Sequence, residues 1–204
     1  MNTSRPNWVT IVSGLPRSGT SMMMQMLAAG GMDVLSDGVR ATDDDNQRGY
    51  FEFEPVKRTR QDPSWLGDAA GKGVKMVYLL LYDLPPAYEY RVLMMERPLA
   101  EVLASQQAML ERRGQPGANL PREKLSELFA QQRERIAQWL AGRPNFRAIT
   151  VDYHRVLAEP HEQAQRINAF LDSRLDSAAM AAAVAPALRR QTAGSPSAQH
   201  ADGS

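Results

Sequence analysis

Cysteine is absent from the 204-residue chain, which excludes disulfides, thiolate nucleophiles and cysteine-based zinc sites together. A chain without thiols is neutral toward redox compartment. Long apolar runs are lacking too. The longest, Val74–Leu81, is interrupted by Lys75 and falls far short of the roughly 20 residues of a membrane-spanning helix. The N-terminus lacks the charged-then-apolar pattern of a secretory signal, so a soluble, cytoplasmic protein with no transmembrane segment is expected. Neither charge sign dominates: 24 Lys and Arg stand against 23 Asp and Glu, leaving +1. No global basic field favours nucleic acid, and any anion site has to be built locally. Histidine is scarce and late, at His154, His161 and His200. No internal repeat is visible.

What is present suits one α/β domain. Length and a 43% hydrophobic, 23% charged composition fit a single soluble core. The β-branched, apolar run over residues 7–13 reads as a buried strand, followed by a helix over 20–29 that ends at Gly30-Gly31. That helix carries Met22, Met23, Met24 and Met26, side chains that fill irregular gaps between helix and sheet. Val74–Tyr82, Tyr90–Met95 and Phe146–Asp152 read as further strands. Leu99–Arg113, Arg122–Ala141 and Glu159–Leu171 carry helical apolar spacing. A short helix is expected near Glu54 and Pro55, and another over 177–187 up to Pro186. Alternating strands and helices predict a mainly parallel sheet with helices on both faces. Residues 36–49 and 114–121 read as loops, the first either a binding loop or a disordered insert. The domain is expected to span 1–190, with 191–204 a disordered tail.

One segment carries chemistry. Gly14-Leu15-Pro16-Arg17-Ser18-Gly19-Thr20-Ser21 has the glycine spacing of a Walker A phosphate loop, but Thr20 stands where the nucleotide-binding Lys belongs. Glycines at 14 and 19 let backbone approach phosphate oxygens closely, and the following helix start adds free N–H donors and positive partial charge. Arg17 can grip phosphate or sulfate oxygens bidentately. Such a loop holds a phosphate-bearing cofactor without the Lys and Mg²⁺ grip of a nucleoside triphosphate site. A second candidate site is Arg97 with Ser105, eight residues apart after a strand. Ligands of open α/β sheets bind beyond the strands' carboxyl ends, so Arg97 should project toward loop 14–21. Eight helical residues rise about 12 Å, so Arg97 must fold back near Pro98 for both to meet one phosphate.

In these segments the chain resembles the PAPS-dependent sulfotransferases, in particular small bacterial sulfotransferase-domain proteins. Gly14–Ser21 is similar to the family's 5′-phosphosulfate loop, and Arg97 with Ser105 to its 3′-phosphate site. Val151-Asp152-Tyr153, Leu157-Ala158-Glu159-Pro160 and Ile167-Asn168-Ala169-Phe170-Leu171-Asp172 resemble its C-terminal strand-to-helix segment. The resemblance covers roughly 8–172. It implies a P-loop-type domain that transfers a sulfuryl group from 3′-phosphoadenosine 5′-phosphosulfate to a hydroxyl or amine, with no metal required. The acceptor is expected to be a small molecule, glycan or lipid, lodged near the 36–60 and 114–121 loops.

The resemblance implies donor binding through Pro16, Arg17, Ser18, Gly19, Thr20, Ser21, Arg97 and Ser105. Arg17 stands where many members carry a catalytic Lys; it can stabilise charge but is a poor proton donor. A general base is also needed. The family draws His or Glu from a segment after the first helix, which here offers Glu52 and Glu54. If Tyr50–Phe53 is extended, the two carboxylates share a face, and Glu52 is the expected base. Arg189 and Arg190 are further basic candidates near the cofactor, and Lys75 starts a buried strand. Asp43-Asp44-Asp45 reads as a solvated loop, since consecutive residues cannot all converge on one ion. Two other readings stay open: a P-loop kinase or NTPase with an altered loop, and a nucleotide-binding module without catalysis.

Overall fold

A computed structural model describes residues 6–37, 51–112, 114–115 and 120–184. The expectations for Asp43–Asp45, Arg189, Arg190, the tail and most of both loops lie outside these residues.

Four strands form the sheet: β1 (Trp8–Gly14), β2 (Gly73–Val77), β3 (Glu89–Glu96) and β4 (Phe146–Asp152). The order is β2-β1-β3-β4 and every pairing is parallel. Among the described residues six α-helices accompany them: α1 (Thr20–Ala29), α2 (Leu99–Arg112), α3 (Arg122–Ala141), α4 (Tyr153–Ala158), α5 (Pro160–Phe170) and α6 (Ser177–Ala182). Side-chain alternation divides β1, β3 and β4 between two cores. Val12, Leu93, Met95 and Val151 pack against α1, α4, α5 and α6, where Met23, Met24 and Met26 are fully buried. Ile11, Val74, Val92 and Phe146 face α2, α3 and three 3-10 turns. The chain is therefore an α/β fold with a parallel sheet covered on both faces. No helix among the described residues is long and apolar enough to cross a membrane.

Two local expectations are corrected, and one helix is added. The strand begun at Gly73 ends at Val77, and Tyr78–Asp83 is a 3-10 turn. Tyr78, Leu81 and Leu84 are buried while Leu79 and Tyr82 are exposed, a three-residue period that a strand cannot satisfy. The helix α4 intervenes before α5 because the Asp152 carboxylate accepts from the Arg155 amide at 2.8 Å, capping a new helix where β4 stops. Nor do Glu52 and Glu54 share an extended face. Phe51 has a left-handed φ of 48° and Glu54 opens a 3-10 turn, so Phe51 packs into the α1-side core and Phe53 into the opposite one. Lys75 sits on the edge strand β2, opposite Val12 of β1.

One buried charge ties the C-terminal helices to the sheet. Arg91 of β3 is 6% exposed. It donates to both Asp172 carboxylate oxygens, at 2.7 and 2.9 Å, and to the Phe170 carbonyl, and its guanidinium lies 3.6 Å over the Trp8 ring. The hydrogen bonds from Arg91 hold the Asp172 carboxyl below its ordinary pKa, outweighing burial. A carboxyl lowered in the folded state stabilises above its unfolded pKa, and that contribution fades as pH falls through the folded value. Asp172 is half-exposed, so Asp172→Asn should cost about 1–2 kcal/mol at pH 7, or about 3–6 °C in Tm. In thermal melts the gap from wild type should narrow below about pH 4; a gap constant with pH would contradict the assignment.

Candidate anion-binding site

Strand register sets the site. Gly14, the last residue of β1, lies beside Met95 of β3 and Val77 of β2, so three strands deliver their carboxyl ends to one rim. The chain leaves β1 through loop 15–19 into α1. Arg17 has φ 73° and Gly19 φ 100°. Left-handed residues of this kind occur in the concave turns whose N–H groups receive anions. For Arg17 the conformation costs roughly 1–2 kcal/mol, and such strain gathers at functional sites. The start of α1 has no side-chain cap and no acidic residue in its first turn, so its positive end is not compensated locally.

Two glycines are required by space. A Cβ on Gly14 would lie 2.5 Å from the Ser18 Oγ and 2.7 Å from the Met95 carbonyl oxygen. A Cβ on Gly19 would lie 2.6 Å from the Tyr153 ring. Ser18 is buried, and its Oγ has no hydrogen-bond partner among the described residues.

The residues named from sequence meet at this rim. The Arg17 Nε donates to the Ser105 Oγ at 3.0 Å, across 88 residues. The Arg97 Nη1 donates to the Arg17 carbonyl at 3.4 Å, so Arg97 does turn back toward the loop. Gln106 adds a bond to the Pro16 carbonyl at 3.3 Å. Arg17 and the first turns of α2 thus form one cluster, with Arg17 between Arg97 and Ser105. Thr20 and Ser21 open α1. The Glu52 carbonyl accepts from the Asp37 amide at 3.0 Å, and its carboxylate contributes to raising the Lys57 pKa.

Sequence reasoning missed three neighbours. Glu101, one helical turn from Arg97, accepts from its Nε at 2.8 Å and lies 2.8 Å from the His154 Nε2. Tyr153 lies under the Arg97 guanidinium, 4.5 Å from ring centre, and against Gly19. Burial would push the Glu101 carboxyl up, but hydrogen bonds from Arg97 and His154 outweigh it and hold the carboxyl below its ordinary value. Burial also raises the Tyr153 hydroxyl, so it stays protonated. The i,i+4 spacing of Arg97 and Glu101 was the available signal; nothing local pointed to Tyr153 and His154, which arrive from β4. Among the described residues no three His, Asp or Glu side chains converge to hold a metal.

Comparison with solved structures agrees with this architecture. The sulfotransferase domain of the Synechococcus PCC 7002 olefin synthase superposes with a TM-score of 0.54 at 15% identity, covering 96% of this chain and 83% of that one. A sulfotransferase domain from the curacin biosynthetic pathway (TM-score 0.49, 14% identity, 83% and 75% covered) and a Janibacter sp. HTCC2649 sugar kinase (0.42, 16%, 85% and 98%) are more distant. No protein-family model matches the chain, and no curated protein sequence does either. The class defined is an α/β domain whose fold is similar to that of the olefin synthase's sulfotransferase domain.

The close approach at Gly14 generates a direct test. Gly14→Ala forces backbone and Ser18 to shift, so it should cost about 2–4 kcal/mol. Gly67→Ala adds a Cβ with nothing within 4 Å and should change stability by less than about 0.5 kcal/mol. Urea unfolding of both variants checks the contrast; equal costs would contradict it.

Proposed function

We propose that the protein is a sulfotransferase that uses 3′-phosphoadenosine 5′-phosphosulfate as donor and a hydroxyl or amine as acceptor. The observation carrying this reading is the convergence of Arg17, Arg97 and Ser105 at the positive end of α1. Two guanidiniums, two or more hydroxyls and a strained glycine loop are the donor set that a ligand with phosphate groups at both ends requires. The orphaned Ser18 Oγ fits the same ligand, since a buried hydroxyl without a partner is costly unless a ligand supplies one. The likeness to the olefin synthase domain supports the fold on which the reading rests.

In this reading the loop from Pro16 to Ser21 holds the 5′-phosphosulfate, and Arg97 with Ser105 holds the 3′-phosphate. When bound, the donor supplies an activated sulfuryl group. Arg17 stabilises charge on the leaving oxygen by fixed hydrogen bonding in a preorganised site, and it supplies no proton. Glu52 takes the acceptor's proton. Sulfuryl transfer, like phosphoryl transfer, depends mainly on in-line positioning and charge stabilisation.

Adenosine 3′,5′-bisphosphate at about 100 times its Kd should stabilise the protein by about 2.7 kcal/mol, or about 5–10 °C in a thermal-shift assay. Stabilisation by ATP–Mg²⁺ alone would sink the reading in favour of an NTPase. Arg17→Ala and Arg97→Ala should each weaken the bisphosphate about tenfold or more, as loss of a charge-assisted bond predicts. Glu52→Gln should leave that affinity intact while lowering transfer of labelled sulfate by roughly 10²–10⁴; unchanged transfer would remove Glu52 from the role.

A further inference from the structure

Strand pairing brings one histidine up to the arginine cluster. Glu96 of β3 lies beside Asp152 of β4, so Arg97 on one segment and Tyr153 and His154 on the other leave the sheet side by side. The Asp152 carboxylate accepts from the Arg155 amide at 2.8 Å and caps α4, which fixes the turn carrying His154. The chain has only three histidines, and histidine is the side chain whose charge ordinarily changes between about pH 5 and 8.

His154 and Arg97 share one carboxylate. The Glu101 Oε1 lies 2.8 Å from the His154 Nε2, and the Glu101 Oε2 accepts from the Arg97 Nε at 2.8 Å, so each oxygen serves one partner. Burial would raise the Glu101 carboxyl, but the hydrogen bonds from Arg97 and His154 hold it below its ordinary value. It is therefore an anion throughout histidine's range. The other groups around the imidazole do not change charge there. The Tyr153 ring stands edge-on at 5.4 Å, and burial keeps its hydroxyl protonated. Arg97 lies over that ring, and the charge of Arg17 also reaches Tyr153. Along α4 the neighbours are the capping Asp152 and Arg155. Among the described residues Glu101 is the one carboxylate paired with His154.

The consequence falls on Arg97. With a neutral imidazole, Glu101 sets its full charge against Arg97; with an imidazolium, one carboxylate faces two cations and its pull on Arg97 is divided. The Arg97 Nη1 makes only a long bond, 3.4 Å, to the Arg17 carbonyl, so the guanidinium keeps N–H donors for an anion. We infer that His154 is a positioning residue for Arg97: acting through Glu101, its charged form loosens the carboxylate's hold on the guanidinium and strengthens the guanidinium's contact with a phosphate of the donor. The words phosphate of the donor rest on the sulfotransferase reading. Affinity for the anion is thus highest with His154 charged and declines as pH rises through histidine's range. The His154 and Glu101 side chains are 36% and 38% exposed, so solvent screens the effect to about two- to fivefold in affinity.

The test titrates the full chain with adenosine 3′,5′-bisphosphate by calorimetry at about pH 8 and about pH 5.5, on either side of histidine's range. His154→Gln keeps an N–H for Glu101 and removes the titration. Phosphate itself titrates near pH 6, so the quantity compared is the ratio of wild-type to variant affinity, from which the ligand's own protonation cancels. That ratio should rise about two- to fivefold from the higher pH to the lower. Glu101→Gln, which removes the shared carboxylate, should give a ratio that rises in the same direction. In an Arg97→Ala background the effect of His154→Gln should no longer depend on pH, because no guanidinium is left to release. A ratio constant with pH would overturn the inference. An undiminished rise without Arg97 would show the imidazolium acting directly on the ligand and would overturn the positioning role. Inorganic pyrophosphate is titrated in parallel. If the bisphosphate does not bind but pyrophosphate shows the rising ratio, the donor reading fails and the role of His154 stands. Bisphosphate binding with a flat ratio fails His154 alone, and binding of neither anion overturns both.

Discussion

The parallel pairing of β1 with β3 is the constraint on which the site depends. Its register sets Gly14 beside Met95, so the loop after β1 and the turn after β3 emerge at the same rim. A one-residue slip would move every side chain of a strand to the other face, exchanging Val12 for Ile11 between two different cores. Both cores therefore enforce the register that brings Arg17 to Ser105. The absence of a Cβ at Gly14 lets the two strand ends close to that distance, and this is why a glycine is needed there even before any ligand is considered.

Around that rim the molecule gathers positive charge from Arg17, Arg97 and the start of α1. The uncapped start of α1, Arg17 in a left-handed conformation and Arg97 face one another with Glu101 as the acidic counterweight. Holding cations in place without ligand is destabilising, and Glu101, Tyr153 and the Arg17 carbonyl are what keep Arg97 fixed. Elsewhere the chain treats charge differently. Arg91, equally cationic but nearly buried, is held by Asp172, the Phe170 carbonyl and the Trp8 ring. The contrast separates a structural arginine from the two to which the proposed function assigns the donor's anionic groups.

Much of this was legible in the sequence where local rules sufficed. The helix from Thr20 and the strand from Phe146 follow from periodicity and breakers, and the parallel sheet from their alternation. Arg97 and Ser105 were legible because a strand end and a following helix fix where they project. Less was legible where tertiary contacts decide. Val74–Tyr82 is apolar enough for a strand, yet its second half turns so that Tyr78 and Leu81 share one side. Helix α4 depends on one cap, Asp152. Tyr153 and His154 reach the site only through the β3–β4 pairing, which no short spacing encodes.

The proposal of two anion subsites bridged by Arg17 makes a thermodynamic claim that a single cycle can test. Calorimetric affinities of adenosine 3′,5′-bisphosphate and adenosine 5′-monophosphate would be compared in wild type and in Arg97→Ala. If Arg97 serves the 3′-phosphate, removing that phosphate weakens binding to wild type by about tenfold or more, and the difference collapses in the variant. The same difference in both proteins would contradict the assignment of Arg97, and with it the two-phosphate site at the end of β1 and β3.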